Sequence, residues 1–431
     1  MSYETILKGI MYVLYIYLGF IALCLILYLP RLIGWFAPLR KQKHLEKMDH
    51  FRIAVLVPAR NESSVVGGLL DDLDEQTYPK EFFDVHVIVK DPNDKTLAIA
   101  KGHNAITHIV EDQKRKSDAL NSCIQDIFKK NSKDYYDAYL IMDADCWMDK
   151  KCLEEINNGF ASGRHVVQCK KIVKNYYMDN KEVPLEASCN GIIWTLIDEM
   201  GNRFKSDHNI ASMTIGTGIC FRKDVIKQIG GWPYNKTLTE DIEFMYDAIL
   251  RGFDSYYSSY AKIYMEEADT LEMTNKRRQR WMSGVCDSKK YYNTRLSDEC
   301  ITPKEKINRY YSKALWIVYW MIGISALHMV LNFILGTVLL VFMSNLSLWA
   351  YLSSFIGFSV IYFSFFFMTL CAIIIDHKYI KMSFFGKIKL LLVHPFFYMG
   401  YIKIVFKALF VKNEASEWDA IARVEDVSGK K

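Results

Sequence analysis

Residues 139–147 read Tyr-Leu-Ile-Met-Asp-Ala-Asp-Cys-Trp. An apolar run passes at once into two carboxylates with one small residue between them. The run Ala138–Met142 has no polar face, as expected of a strand covered on both sides in a parallel sheet. Ligands in such sheets bind beyond the carboxyl ends of the strands. Asp143 and Asp145 therefore stand where a crevice begins, and residues two apart in an extended segment point the same way. Two facing carboxylates make each other costly to ionise. A hard divalent cation relieves that cost, and Mg²⁺ or Mn²⁺ is commonly held by one or two carboxylates plus substrate phosphates. Acids at a strand end can equally cap the following turn, so the pair alone leaves both roles open.

Outward from this stretch, residues 53–57, 85–89 and 165–168 also read as short strands, with helices expected over 63–76 and 114–128. Strands alternating with helices imply right-handed βαβ units, and an α/β domain is expected over residues 50–285. The composition, 51% hydrophobic and 24% charged, excludes a disordered chain, and a net charge of +5 over 431 residues gives no reason to expect nucleic acid. Ten cysteines without a CxxC pair suit free thiols in a reducing compartment.

The flanks belong to another solvent. Gly9 to Pro30 carries no charge, long enough for a hydrocarbon core of roughly 30 Å, so residues 1–34 are expected to be a membrane anchor rather than a cleaved leader. Arg31, Arg40, Lys41, Lys43 and Lys47 follow and place the next residues in the cytoplasm. An interfacial connector is expected over 286–313. From Ala314 to Ile375 there is again no Asp, Glu, Lys or Arg; two passes fit this block, with a bend near Ser344 and Asn345. Residues 383–411, broken by Pro395 and carrying Lys403 and Lys407, fit a third pass, a re-entrant pair or an interfacial helix. A polar tail, 412–431, ends the chain.

Several further features share the soluble region. Asp91 and Asp94 close a second strand. Lys114-Arg-Lys116 precedes a helix start, where backbone N–H groups and cations suit a phosphate. Gly216-Thr-Gly218, Gly230-Gly-Trp232 and Thr239-Glu-Asp241 follow. Lys276-Arg-Arg-Gln-Arg-Trp281 puts four cations and an indole on about two helical turns, although a lipid-facing basic patch reads the same way.

Taken in order, Val57-Pro-Ala-Arg-Asn-Glu62, Gln76-Thr-Tyr-Pro79, the acids around Asp91, Asp143-Ala-Asp145, Gly230-Gly-Trp232, Thr239-Glu-Asp241 and Arg277-Arg-Gln-Arg-Trp281 resemble the membrane-embedded family 2 glycosyltransferases. That group holds cellulose, chitin and hyaluronan synthases, with ceramide glucosyltransferase a more distant relative. The resemblance implies a GT-A fold, a mostly parallel sheet covered by helices, joined to transmembrane helices. It also implies metal-dependent inverting transfer from a UDP-sugar, on the cytoplasmic side of a membrane, with the cell membrane expected.

The resemblance assigns the donor to Pro58, Arg60, Glu62, Asp91, Lys116 and Asp143. It assigns Mg²⁺ or Mn²⁺ to Asp145 with Asp143, and the general base to Asp241 beside Glu240. Acceptor or diphosphate falls to Arg277, Gln279, Arg280, Trp281, Gly230 and Trp232. Glu240 and Asp241 could instead cap their helix, and Trp194 and Trp232 could be core.

Two departures stand out. Arg277 occupies the glutamine position of the QxxRW motif, and Lys90-Asp-Pro-Asn-Asp94 is one residue tighter than usual. The leading expectation is a synthase extending a β-linked glycan. Single transfer to a membrane lipid (diacylglycerol, sphingolipid or polyprenyl phosphate) is the alternative, and a non-catalytic nucleotide-sugar-binding membrane protein the third.

Overall fold

The structure is a computed structural model and describes residues 3–178 and 183–410. One sheet organises the soluble region. Its strands are β1 (Ile53–Pro58), β2 (Phe83–Val89), β3 (Ile106–Ile109), β4 (Ala138–Ile141), β5 (Trp147–Met148), β6 (Val166–Val173), β7 (Ile219–Arg222) and β8 (Ser255–Met265). They lie in the order β3-β2-β1-β4-β7-β6-β8-β5.

β1 pairs parallel with both β2 and β4, and β2 with β3. All six residues of β1 are buried, because both faces are covered. Ile53, Val55 and Val57 join one core with Leu69, Leu70 and Leu73 of the helix Val66–Asp74. Ala54 and Leu56 join the other with Leu120, Ile124 and Ile127 of the helix Lys116–Lys130 and Phe244 of the helix Glu240–Arg251.

The sheet is mixed, where the sequence suggested a mostly parallel one. β7 runs antiparallel to β4 and β6, β5 runs antiparallel to β8, and β6 is parallel to β8. The expected strand at 165–168 runs on to Val173 with every residue buried. Its polar members have partners that make this burial tolerable. Gln168 accepts from Ile215 N at 3.0 Å and donates to Thr217 O at 3.0 Å. Lys170 Nζ lies 2.8 Å from Glu199 and 2.7 Å from Asp376.

Among the described residues, four helices are long and apolar enough to cross a membrane, within Tyr3–Leu39, Pro303–Phe342, Ser344–Ile375 and Phe384–Leu409. The break in the second apolar block falls at Met343, between the helices Leu315–Phe342 and Ser344–Ile375. The stretch expected as a connector is helical: the helix Leu271–Glu299 runs into it and Pro303–Lys313 completes it. The expected tail, 412–431, lies outside the described residues.

Buried polar and cation–ring contacts fasten these helices to the soluble region. Asp376, just past Ile375, takes Lys170 of β6 and accepts from Thr195 Oγ1 at 2.6 Å. Arg278 donates to Asn190 at 3.2 Å, while its guanidinium lies 4.1, 5.1 and 4.4 Å from the ring centres of Phe397, Tyr398 and Tyr401.

Candidate active site

The loop after β1 is held by backbone geometry. Ala59 N donates to Ile88 O, which carries the ladder past Pro58. Asn61 sits in the left-handed region at φ 58°, which asparagine tolerates better than most residues. Asp94 secures this loop: Oδ2 accepts from Asn61 N at 2.8 Å and Oδ1 from Thr96 N at 2.9 Å. Glu62 N donates to Thr96 Oγ1 at 3.2 Å, and the Glu62 side chain is buried while Arg60 is half-buried. Asp91 is exposed, and its Oδ1 accepts from Asn93 N at 2.8 Å. The strand-end acids thus divide the work: Asp94 builds the loop and Asp91 faces outward from a tight turn.

The Asp143–Asp145 pair follows β4 directly. Asp143 N donates to the fully buried Thr217 Oγ1 at 2.8 Å. Lys174 Nζ donates to Asp145 O at 3.0 Å and lies 4.2 Å from the Trp147 ring centre. Lys116 opens its helix, whose start is closed by Asp118 accepting from Arg115 N at 2.9 Å and Lys114 N at 3.1 Å. From there Lys116 Nζ reaches Asp143 Oδ1 at 2.6 Å and Glu240 Oε1 at 3.6 Å. Burial alone would lower the Lys116 pKa; the carboxylates of Asp143 and Glu240 outweigh it and hold the ammonium above its usual range.

Asp241 stands in the first turn of the helix Glu240–Arg251. Its Oδ1 accepts from Ile242 N at 2.9 Å, as an acid at a helix start does, and its Oδ2 from Gly216 N at 2.6 Å. Gly216, at φ 76°, lets the turn present that amide. Burial and then the charge of Glu240 push the Asp241 carboxyl up to about 6, against the two amide bonds that favour its charged form.

The helix Leu271–Glu299 borders this group. Burial lowers the Arg280 pKa, with Glu240, Asp143 and Asp241 acting in the opposite sense, so its guanidinium lies within electrostatic reach of the same carboxylates. The helix is held in register by Gly284, where a Cβ would come within 2.4 Å of Thr239 Oγ1. Trp281 packs edge-on against Trp194 at 6.1 Å, and Trp194 Nε1 donates to the buried Glu267 at 2.6 Å.

Sequence expectation and structure diverge at several residues. Lys116, Asp143, Glu240, Asp241 and Arg280 converge. Arg277 is turned aside onto Glu267 at 3.4 Å and the carbonyl of Glu266 at 3.2 Å. Gln279 has a buried side-chain nitrogen without a hydrogen-bond partner among the described residues.

Trp232, expected at the acceptor path, is 1% exposed and enclosed by Phe221, Tyr234 and Phe244. It is core, the role that indole burial usually implies. Gly230, at φ 81°, ends the helix Lys223–Ile229 as its left-handed cap. Gly231 passes so close to Asn121 that a Cβ would meet Oδ1 at 2.5 Å, while Asn121 accepts from Trp232 N at 2.8 Å. The motif is thus a backbone fit onto the helix that carries Lys116. Glu267 and Gly284 carry no pattern in the sequence, and the Gly216-Thr-Gly218 turn does not disclose that Thr217 would hold Asp143.

A family model described as glycosyltransferase like family 2 matches residues 50–284. The chain belongs to this family. A probable glycosyltransferase of Bacillus subtilis, YdaM, is 26% identical over 245 residues, covering 54% of this chain and 55% of that protein. A probable glycosyltransferase of Sulfolobus acidocaldarius is 24% identical over 260 residues, 58% of this chain and 53% of that protein. The chain thus spans about half the length of these curated relatives. A solved mannosyltransferase, PcManGT from Pyrobaculum calidifontis, described in complex with GDP-mannose and Mn²⁺, shares the fold. Its TM-score is 0.54 and its identity 15%, over 94% of this chain and 100% of that one. This member of the family therefore has a GT-A-like fold with long apolar helices attached. At its aspartate pair the donor set is all carboxylate oxygen, and a cation, the Lys116 ammonium, already lies against Asp143. That chemistry fits a hard divalent ion.

Proposed function

We propose that the chain is an inverting hexosyltransferase that moves a hexose or N-acetylhexosamine from a UDP-sugar to a hydroxyl of a growing β-linked glycan, at the cytoplasmic face of a membrane. The observation that carries this reading is the convergence of Lys116, Asp143, Glu240, Asp241 and Arg280 at the end of β4, beside the apolar helix Phe384–Phe410, which packs on Arg278 of the helix that carries Arg280. In-line displacement at an anomeric carbon has oxocarbenium character, with a hydroxyl losing its proton on one side and a diphosphate leaving on the other.

Asp241 takes that proton; a carboxyl raised to about 6 is a stronger base than one near 4 and remains charged at neutral pH. Arg280 faces the diphosphate, where a guanidinium can fork onto its oxygens. Lys116 holds Asp143 in place and keeps a positive charge beside the phosphates. Mg²⁺ or Mn²⁺ held by Asp145 and Asp143 would supply neutralisation of the departing charge. Trp281 offers an indole face to a sugar ring, and Gln279 a side-chain amide. Arg60, Glu62 and Asp91 border the nucleotide. The basic residues after the first apolar helix support the cytoplasmic orientation.

A second reading, single transfer to a membrane lipid, is favoured by one observation. A cavity of about 450 Å³ opens between the apolar helices, lined by Ala326, Met329, Ile361, Met399, Ile402 and Phe406 with Lys403 as its cation. Such a lining suits a hydrocarbon chain with an anionic head better than a hydrated glycan. Radiolabelled UDP-sugars offered to the purified protein with Mn²⁺ or Mg²⁺ separate the readings. A high-molecular-weight product supports the synthase, and a solvent-extractable one the lipid transfer. Absence of any transfer, with donor binding intact, would leave a non-catalytic binding protein.

A further inference from the structure

A second cluster of ligating atoms lies on the far edge of the sheet. His86 of β2 and His108 of β3 are diagonal neighbours on one face, since His86 is paired with Ile106 and Ile88 with His108. Both are buried, and His86 Nδ1 lies 2.9 Å from His108 Nε2. Cys123, buried on the helix crossing this face, completes a group whose ligating atoms lie within 4.8 Å of one another.

The other nitrogen of each ring is already held by oxygen. His108 Nδ1 is 3.0 Å from Asp126 Oδ2, and His86 Nε2 is 2.9 Å from the Tyr136 hydroxyl, which lies 2.9 Å from Asp84 Oδ2. Partners of this kind fix ring orientation and tautomer at metal-binding histidines.

A count of hydrogens points the same way. Asp84, Tyr136, His86, His108 and Asp126 form one chain of four links, and each link needs a hydrogen. Ionised carboxylates at both ends only accept, while a phenol and two neutral imidazoles supply three hydrogens. One link is therefore short. If it is an outer link, a bare nitrogen or oxygen faces a carboxylate, and if it is the Tyr136–His86 link, a phenol oxygen faces a bare imidazole nitrogen. If it is the middle link, two imidazole lone pairs converge beside a thiol. A cation in that middle position closes the count: His108 Nδ1–H serves Asp126, His86 Nε2–H serves Tyr136, and the phenol serves Asp84, with no charged imidazole.

We propose that His86 Nδ1, His108 Nε2 and the Cys123 thiolate form a structural site for a d¹⁰ cation, Zn²⁺ or Cu⁺. The mixed nitrogen and sulfur set selects such ions, whereas the all-oxygen pair Asp143 and Asp145 selects Mg²⁺ or Mn²⁺, so the two sites are chemically sorted. Bound metal would pin the β2–β3 edge to the helix that starts at Lys116. Cys123 stands seven residues further on, about 10 Å along the helix axis. On binding, the Cys123 thiol gives its proton to solvent.

The test uses the detergent-solubilised full chain, stripped with chelator and titrated with Co²⁺ as an optical probe and then with Zn²⁺. A sulfur-to-metal charge-transfer band saturating at one equivalent, displaced by Zn²⁺, is expected. Cys123→Ser should abolish it, and Cys146→Ser, beside the aspartate pair, should leave it. Asp126→Asn should weaken Zn²⁺ binding on the order of 10–100-fold. No band in the wild-type protein, a band surviving Cys123→Ser, or one lost in Cys146→Ser would overturn the assignment. In the first case the middle link holds an extra proton, and ¹⁵N NMR would show one imidazolium shared by His86 and His108.

Discussion

The two halves of the sheet are built on different terms. β3, β2, β1 and β4 are parallel, and β1 and β4 are buried throughout by apolar side chains. Here β1 and β4 are held by area removed from water, and the loops at this end carry the proposed donor side of the site. β7, β6, β8 and β5 mix directions and bury Gln168, Lys170 and Lys171. Here the structure is held by matched polar partners, and it carries Gly216, Thr217 and the junction with the apolar helices. An apolar core tolerates change gradually. A buried charge network fails when one partner goes.

Lys170→Met breaks that contrast most directly. It strands Glu199 and Asp376, both buried with their ammonium partner, and removing one partner of a buried pair costs about 3–5 kcal/mol. Thermal or denaturant unfolding should show that loss, and replacing all three residues by apolar ones should recover much of it. An unchanged midpoint in the single variant would show that the network contributes nothing.

Asp145→Asn probes the donor half. Transfer should fall on the order of 10²–10³-fold, the usual scale for losing one group that stabilises developing charge, while the unfolding midpoint stays near that of the parent. Initial rates across a Mn²⁺ series check this, and normal turnover would remove the metal assignment. Gly284→Ala tests how the halves meet. The added methyl would meet Thr239 Oγ1 at 2.4 Å, and overpacking of this kind costs about 1–3 kcal/mol. The rate should fall through displacement of Glu240 and Asp241, with donor affinity little changed. Trp232→Phe should be the mildest, about 1–2 kcal/mol of stability with the acceptor KM unaltered. A large rise in acceptor KM would return Trp232 to the acceptor path.

The same contrast explains what the sequence could disclose. β1 and β4 were legible because burial on both faces writes an uninterrupted apolar run, β2 because only His86 interrupts its run from Val85 to Val89, and the DxD pair because it ends such a run. β7 is four residues, Ile219–Arg222, and ends in arginine. β8 reads Ser-Tyr-Tyr-Ser-Ser-Tyr-Ala-Lys-Ile-Tyr-Met, with a register shift opposite Cys169 and Lys170. Neither has a clean period, since their polar residues are satisfied by partners distant in sequence. Among the site residues, Asp241 could be named from motif order and Lys116 from the basic run at a helix start. Thr217 and Glu267 act through hydrogen bonds to residues distant in sequence, which local pattern does not encode. Trp232 was misplaced because motif order marks its backbone, which must approach Asn121, and says nothing of where the indole points.

The central claim is that Asp241, raised by burial and by Glu240, accepts the acceptor's proton. The pH dependence of transfer at saturating donor, acceptor and Mn²⁺ tests it. The rate should climb with pH through an apparent pKa of about 6 as the carboxyl ionises, and level off above it. In Asp241→Asn the climb should vanish and the rate drop on the order of 10²–10⁴-fold, with UDP-sugar still bound. A flat wild-type profile from pH 5 to 8, or an Asp241→Asn variant that turns over normally, would contradict the account.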